Sequence, residues 1–186
     1  MIGYALTGSF CTIDKSLNVM GELVSLGLEI LPIMSDNAYN TDTRFALAID
    51  VREKINRLSG REIIHSIVDA EPIGPKINPD AMIICPCTGN TLAKIANGIT
   101  DTPVCMAAKS HLRNDKPLII ALATNDALSG NLKNIATLLS RKNVYFVPMI
   151  QDDPEKKPHS LVADFSLVKT TLKLALEGKS MKKIFL

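Results

Sequence analysis

Short apolar runs rich in β-branched residues alternate along the chain with longer stretches in which apolar side chains recur every three or four positions. The first pattern predicts buried strands and the second amphipathic helices. Their alternation predicts a parallel sheet covered by helices on both faces. The strand candidates are Ile2–Leu6, Glu29–Met34, Glu62–Val68, Ala81–Cys85, Leu118–Leu122 and Val144–Val147. Between them, one helix starts near Asp14, turns Leu17, Met20 and Val24 inward and stops at Gly27, which suits a left-handed C-terminal cap. A second runs from Thr43 to Leu58 with Ala48, Val51, Ile55 and Leu58 on one face. A third begins near Asn90 with Leu92, Ile95, Ala96 and Ile99 inward, and a fourth near Asn131 with Leu132, Ile135, Ala136 and Leu139. The last spans Ser160 to Leu176, with Leu161, Phe165, Val168 and Leu172 on one stripe. The proline-rich Ala70–Pro79 and the polar Gln151–Pro158 read as loops. The expected fold is one α/β domain over residues 1–186: a three-layer, Rossmann-like, doubly wound parallel sheet of five or six strands, its core within residues 2–150.

Composition agrees with this picture and narrows the partners. A chain of 186 residues, 46% hydrophobic and 22% charged, can bury one substantial core. The net charge of +2 is spread out, and its one dense basic cluster is Lys179, Lys182 and Lys183, so nothing points to nucleic acid. Cys11, Cys85, Cys87 and Cys105 form no C-x-x-C pair and lie in or beside apolar stretches, which predicts reduced thiols in a reducing compartment. No basic leader precedes a long hydrophobic run, and no uninterrupted apolar stretch reaches the length of a membrane span. The expectation is a cytoplasmic protein without a membrane partner.

Candidate chemistry lies where the strands end, because ligands of open parallel sheets bind outside the carboxyl ends of the strands. Thr7-Gly8-Ser9-Phe10 places a glycine and two hydroxyls beside a helix start, a setting for phosphate or simply a tight turn. Ser35, with Asn37 two residues on, offers a second hydroxyl and amide, or an ordinary helix cap. Cys85-Pro86-Cys87-Thr88-Gly89-Asn90-Thr91 stops a strand at proline and continues in small polar residues that a flat ring can approach closely. Its two thiols fall short of the four ligands of a structural zinc site, so no metal is expected. Asn125 and Asp126 end the Leu118 strand, where Asn125 can donate to a substrate carboxylate or form an Asx-turn. Arg113 can clamp an anion or stand solvated on the surface. His65 falls in a strand candidate, His111 in a polar surface stretch and His159 in the charged loop, none with an evident nucleophile beside it.

Taken together, these turns resemble the flavin-dependent cysteine decarboxylase family, which includes phosphopantothenoylcysteine decarboxylase and the lantibiotic peptidyl-cysteine decarboxylases. Thr7-Gly8-Ser9 is similar to the family's phosphate loop. Pro86-Cys-Thr-Gly-Asn-Thr91 is similar to its P-x-S-A-N-T segment, and Ala123-Thr-Asn125 to its P-A-M-N substrate loop, with Leu122 for the proline and Thr124 for the methionine. The resemblance implies a Rossmann-like protomer that binds FMN and assembles as trimers or multiples of trimers, with active sites between protomers. Carried over, it assigns cofactor binding to Thr7, Gly8, Ser9, Phe10, Ser35, Asn37, Pro86, Cys87, Thr88, Asn90 and Thr91, and substrate binding to Asn125 and Arg113. One departure matters: the family's catalytic histidine precedes the motif proline at a spacing that falls on Pro72 here, and proline cannot transfer a proton, so cysteine decarboxylation would need His65 brought in by a different local alignment.

Ala70–Lys76, Cys87–Pro103, Lys109–Arg113 and Asn143–Pro154 look like one branch of these proteins, the B components of two-component synthases that oxidise a dihydropyridine dicarboxylate in sporulating bacteria. That likeness implies a partner A component carrying NADP, a small dicarboxylate substrate and a place in the mother-cell cytoplasm. Two readings compete with it: an independent FMN-dependent decarboxylase of a small acid, and a non-catalytic structural partner whose pocket is empty or holds only phosphate.

Overall fold

The computed structural model describes all 186 residues. In chain order the elements are β1 (Ile2–Leu6), α1 (Ile13–Ser25), β2 (Ile30–Met34), α2 (Asp36–Asn40), α3 (Ala48–Ser59), α4 (Ile67–Ala70), β3 (Ala81–Cys87), α5 (Gly89–Ala96), α6 (Pro103–Leu112), β4 (Leu118–Thr124), α7 (Leu132–Leu139), β5 (Val144–Phe146), β6 (Met149–Ile150), β7 (Leu161–Ala163) and α8 (Val168–Leu176). Strands β1, β2 and β3 are buried at every position, as they must be in a sheet covered on both faces. Their side chains divide between two cores. One gathers Tyr4, Leu6 and Ile83 with Leu17, Val51, Ile55 and Leu172 under α1, α3 and α8. The other gathers Ala5, Ile84 and Ile120 with Leu92, Val104 and Ile135 under α4 to α7.

The parallel strands run in the order β2-β1-β3-β4-β5, with Ile2 opposite both Ile30 and Ala81, and Leu118 opposite both Met82 and Val144. The order reverses between β1 and β3, which opens a crevice outside their carboxyl ends. The tip of β4 then gains a short antiparallel addition: Ala123 and Thr124 pair with Val162 and Leu161 of β7, and β7 pairs with β6. The sheet is therefore mixed and seven-stranded rather than wholly parallel. The α/β doubly wound plan stands. No helix is long and apolar enough to cross a membrane.

Several sequence expectations require correction. Glu62–Val68 is not a strand; only Ile64 bridges to Ile33, and Ser66 then caps α4 by accepting from the Asp69 amide. The strand ending at Cys85 continues to Cys87. Residues 43–47 form a turn rather than the first turns of α3, closed by Thr43 and by Asp42, whose carboxylate accepts from the Ala48 amide at 2.8 Å. The Ser160–Leu176 helix begins only at Val168, because Leu161–Ala163 is taken into the sheet by β4. The inward faces of two helices also differ from expectation, since Ile99, Leu132 and Leu139 are exposed while Leu138 is buried. Helix α6 lies where a polar surface stretch is expected, and His111 on it is fully buried.

Candidate functional site

The tips of the two central strands are stitched together by one hydroxyl. Thr7 Oγ1 donates to the Pro86 carbonyl at 2.8 Å and accepts from the Thr88 amide at 2.9 Å, while the Thr7 amide also reaches the Pro86 carbonyl at 3.2 Å. Around Pro86, which follows a cis peptide, the β3–β4 register shifts between Ile84 and Cys87. Ser16 of α1 donates to the Cys85 carbonyl, and buried Tyr4 donates to the Ser16 carbonyl at 2.8 Å. The first helix is thereby fixed against the strand tips.

Two helix starts face this floor. After β1, a 3-10 turn over Phe10–Thr12 leads into α1. After β3, Thr88 caps α5 by accepting from the Thr91 amide at 3.2 Å. The earliest amides of a helix have no intrahelical acceptor, so those of Gly89 and Asn90 remain available as donors. The positive end of each helix dipole lies on the same side.

Above the floor opens a cleft of about 670 Å³, a size common among cofactor pockets. Its walls come from Gly8–Thr12 and Lys15, from Arg44 and Phe45 in the turn before α3, from Thr88–Asn90, from Ala123–Asn125, and from Asp152, Lys157 and Val162. Lys15, Arg44 and Lys157 face a single carboxylate, Asp152, so the cleft favours anions. Lys157 Nζ pairs with Asp152 at 2.9 Å, and this bond holds the Asp152 carboxyl below its ordinary range.

A polar network backs the cleft. Asp126 accepts from Thr124 Oγ1 at 2.6 Å and from Asn131 Nδ2 at 2.9 Å, and these bonds, Thr124 foremost, lower its carboxyl. Asn131 in turn accepts from Asn134 at 2.8 Å, which carries the network down α7. Exposed Asn125 stands between Thr124 and Asp126, both held by this network.

The structure brings together Gly8, Ser9, Phe10, Thr88, Asn90 and Asn125 on the cleft wall. Thr7, Cys87 and Thr91 are buried and, with Pro86, form the floor behind it. Ser35 caps α2, accepting from the Ala38 amide at 3.4 Å, and Asn37 packs beside Gly8 without lining the cleft. Arg113 follows the last residue of α6 and precedes β4, at the amino ends of the strands, and does not line the cleft of its own protomer. A helix that returns the chain to the start of the next strand delivers its C-terminus to that edge. Lys15, Arg44, Phe45, Asp152 and Lys157 escape the sequence reading. The Lys-Lys-Pro cluster and the Arg44-Phe45 pair are visible signals, but their convergence depends on how loops distant in sequence fold over the strand tips.

No histidine lines the cleft. His65 stacks on Tyr39, ring centroids 4.0 Å apart and planes 4° from parallel, while Arg52 lies 4.6 Å from the Tyr39 centroid. His111 shares a hydrogen bond of 2.9 Å with the Pro117 carbonyl through Nε2, and burial lowers its pKa. Desolvation pushes the Cys85 thiol up to about 11 and raises Cys87 further, so both stay protonated at neutral pH. No group of three or more His, Cys, Asp or Glu side chains converges on a point. What the cleft offers is positive potential and free amide donors for an anionic ligand.

Comparison with known proteins agrees with this description. A profile of the Flavoprotein family matches residues 1–169. The B subunit of dipicolinate synthase from Bacillus subtilis (strain 168) is 45% identical over 183 residues, covering 98% of this chain and 92% of the relative. The crystal structure of the corresponding dipicolinate synthase B subunit from Bacillus halodurans superposes with a TM-score of 0.91 at 42% identity, over 100% of this chain and 95% of that one. The FMN-dependent cysteine decarboxylase SpaF shares the fold at a TM-score of 0.69 and 21% identity, over 94% of this chain and 95% of its own. By sheet order, cleft position and sequence alike, the chain belongs to the Flavoprotein family.

Proposed function

We propose that this chain is the B subunit of a dipicolinate synthase, acting with an A subunit that carries NADP in the oxidation of dihydrodipicolinate to dipicolinate during sporulation, and that its cleft holds FMN. The observation that carries this reading is the position of the cleft. It opens at the β1/β3 reversal of a 2-1-3-4-5 sheet, the place where flavodoxin-like sheets hold FMN. The 45% identity to the Bacillus subtilis relative supports the role within a two-component synthase.

The residues fit the cofactor. Gly8, the Ser9 hydroxyl and the amides of the following 3-10 turn suit a phosphate, with Lys15 supplying positive charge. Thr88 to Asn90 suit the edge of a flat ring, since the amides of Gly89 and Asn90 at the start of α5 are free to donate. When bound, FMN supplies a two-electron acceptor suited to the hydride that a dihydropyridine loses on aromatising. This chain's own residues bind and orient. Asn125 presents amide hydrogens to a substrate carboxylate, Phe45 and Val162 keep part of the wall apolar, and the Thr124–Asp126–Asn131 network fixes the loop that carries Asn125. We assign the chain to the mother-cell cytoplasm and to a homo-oligomer of trimers or a multiple of trimers.

Reconstitution tests the proposal. The chain, its A partner, NADP and dihydrodipicolinate together should produce dipicolinate, detected by its ultraviolet absorbance, with the full rate requiring both proteins. An equal rate from the isolated A partner would remove this chain from the reaction. Substrate-dependent carbon dioxide release by the lone chain would establish the independent decarboxylase instead.

A further inference from the structure

Among the cations of the cleft, Arg44 is set apart by its surroundings. Lys157 is already paired with Asp152. Lys15 stands in the opening turn of α1, close to the Gly8–Thr12 segment that suits a phosphate. Arg44 has no carboxylate partner, and its guanidinium lies over the Phe45 ring at 4.9 Å from the centroid. The cation sits against the ring, and its N–H groups have no hydrogen-bond partner within the chain, so they remain available to an anion.

The turn beneath this pair is built to present it. Thr43 Oγ1 accepts from the Phe45 amide at 3.1 Å, the Thr43 amide donates to the Ala46 carbonyl at 3.0 Å, and Asp42 anchors the start of α3. Arg44 and Phe45 are thus carried at the tip of a closed turn, both exposed on the cleft wall. Phe45 is about half exposed, 47%, and does not belong to either buried core. Its ring gives the Arg44 cation a partner that restricts where the side chain lies.

We propose that Arg44 is the specificity residue for the substrate, taking one ring carboxylate of a dicarboxylate in a bidentate pair, and that Phe45 is a positioning residue which holds the Arg44 side chain through its cation–ring contact. The inference rests on the dicarboxylate reading above, and it separates two anion sites in one cleft: the cofactor phosphate at Gly8–Lys15 and the substrate carboxylate at Arg44.

Two titrations of the full chain test it, one with FMN followed by flavin absorbance and one with dipicolinate followed by calorimetry. Arg44→Ala should weaken dipicolinate binding about tenfold or more, the loss of one charge-assisted pair, and leave FMN affinity unchanged. Arg44→Lys should restore part of the affinity, and Phe45→Leu should weaken dipicolinate binding while the charge is still present. A fall in FMN affinity on Arg44→Ala would make Arg44 a phosphate ligand and overturn the proposal. Unchanged dipicolinate affinity, or no dipicolinate binding by the wild-type chain, would overturn it as well. Failure of FMN to bind while the Arg44 effect on dipicolinate persists would count against the flavin reading alone.

Discussion

Gly89 and Thr124 stand so close that a Cβ on Gly89 would lie 2.5 Å from Thr124 Oγ1, and 2.6 Å from Asn131 Nδ2. The first residue of α5 is thus pressed against the polar network behind the cleft, and only hydrogen fits in the gap. Gly89→Ala would ordinarily strengthen a helix, but here the network must move. We expect a net loss of about 1–3 kcal/mol in urea unfolding, the range for overpacking a filled site. Unchanged or increased stability would show that the network yields freely.

Removing the centre of that network should be felt through the residue it leaves behind. Asp126→Ala strips the acceptor from buried Asn131 Nδ2 and from Thr124 Oγ1. An orphaned buried donor costs about 1–3 kcal/mol, which denaturant melts should register. Affinity for dipicolinate should fall as well, because Asn125 loses the support on both of its sides.

Thr7 holds the floor of the cleft. Thr7→Val keeps the shape but deletes the bonds to the Pro86 carbonyl and the Thr88 amide. The expected result is weaker FMN binding and a stability loss of about 1–3 kcal/mol, with Thr7→Ser close to wild type. Equal behaviour of the valine and serine variants would contradict a hydrogen-bonding role.

His111 sets a limit on the acid side. Its folded-state pKa lies below the ordinary value of 6.5 because burial penalises the imidazolium. The unfolded chain therefore binds a proton before the folded one does. The His111 contribution is fully present above about pH 6.5 and is lost as pH falls toward the folded pKa. Denaturant midpoints measured from about pH 7.5 to 5.5 should drop for wild type and drop less for His111→Phe, compared with each variant's own value at the upper end.

Much of the fold is legible in the sequence, because β1, β2, β3 and β4 are continuous apolar runs that only a covered parallel sheet accommodates. The misreadings have physical causes. Glu62–Val68 has strand composition, but Ser66 captures the Asp69 amide and the chain turns into α4. Leu161–Ala163 continues the helical stripe of Phe165, Val168 and Leu172, yet the free edge of β4 at Ala123 and Thr124 claims it as a strand. Helix α6 is apolar nearly all round, so it has no polar face to give it a period; its legible signal is Thr102 before Pro103, a cap followed by proline at the first helical position. At the cleft, the strand-end turns are local and can be read directly. Arg44, Asp152 and Lys157 cannot, since each reaches the cleft through a loop whose path depends on the whole topology.

The position of the cleft at the β1/β3 reversal makes flavin binding the central claim, and an absorbance spectrum tests it most directly. The purified full chain is equilibrated with excess FMN, desalted and scanned. A flavin band retained in the near-ultraviolet and blue, and diminished in Thr7→Val, is the predicted result. A chain that leaves the column without flavin would contradict the claim.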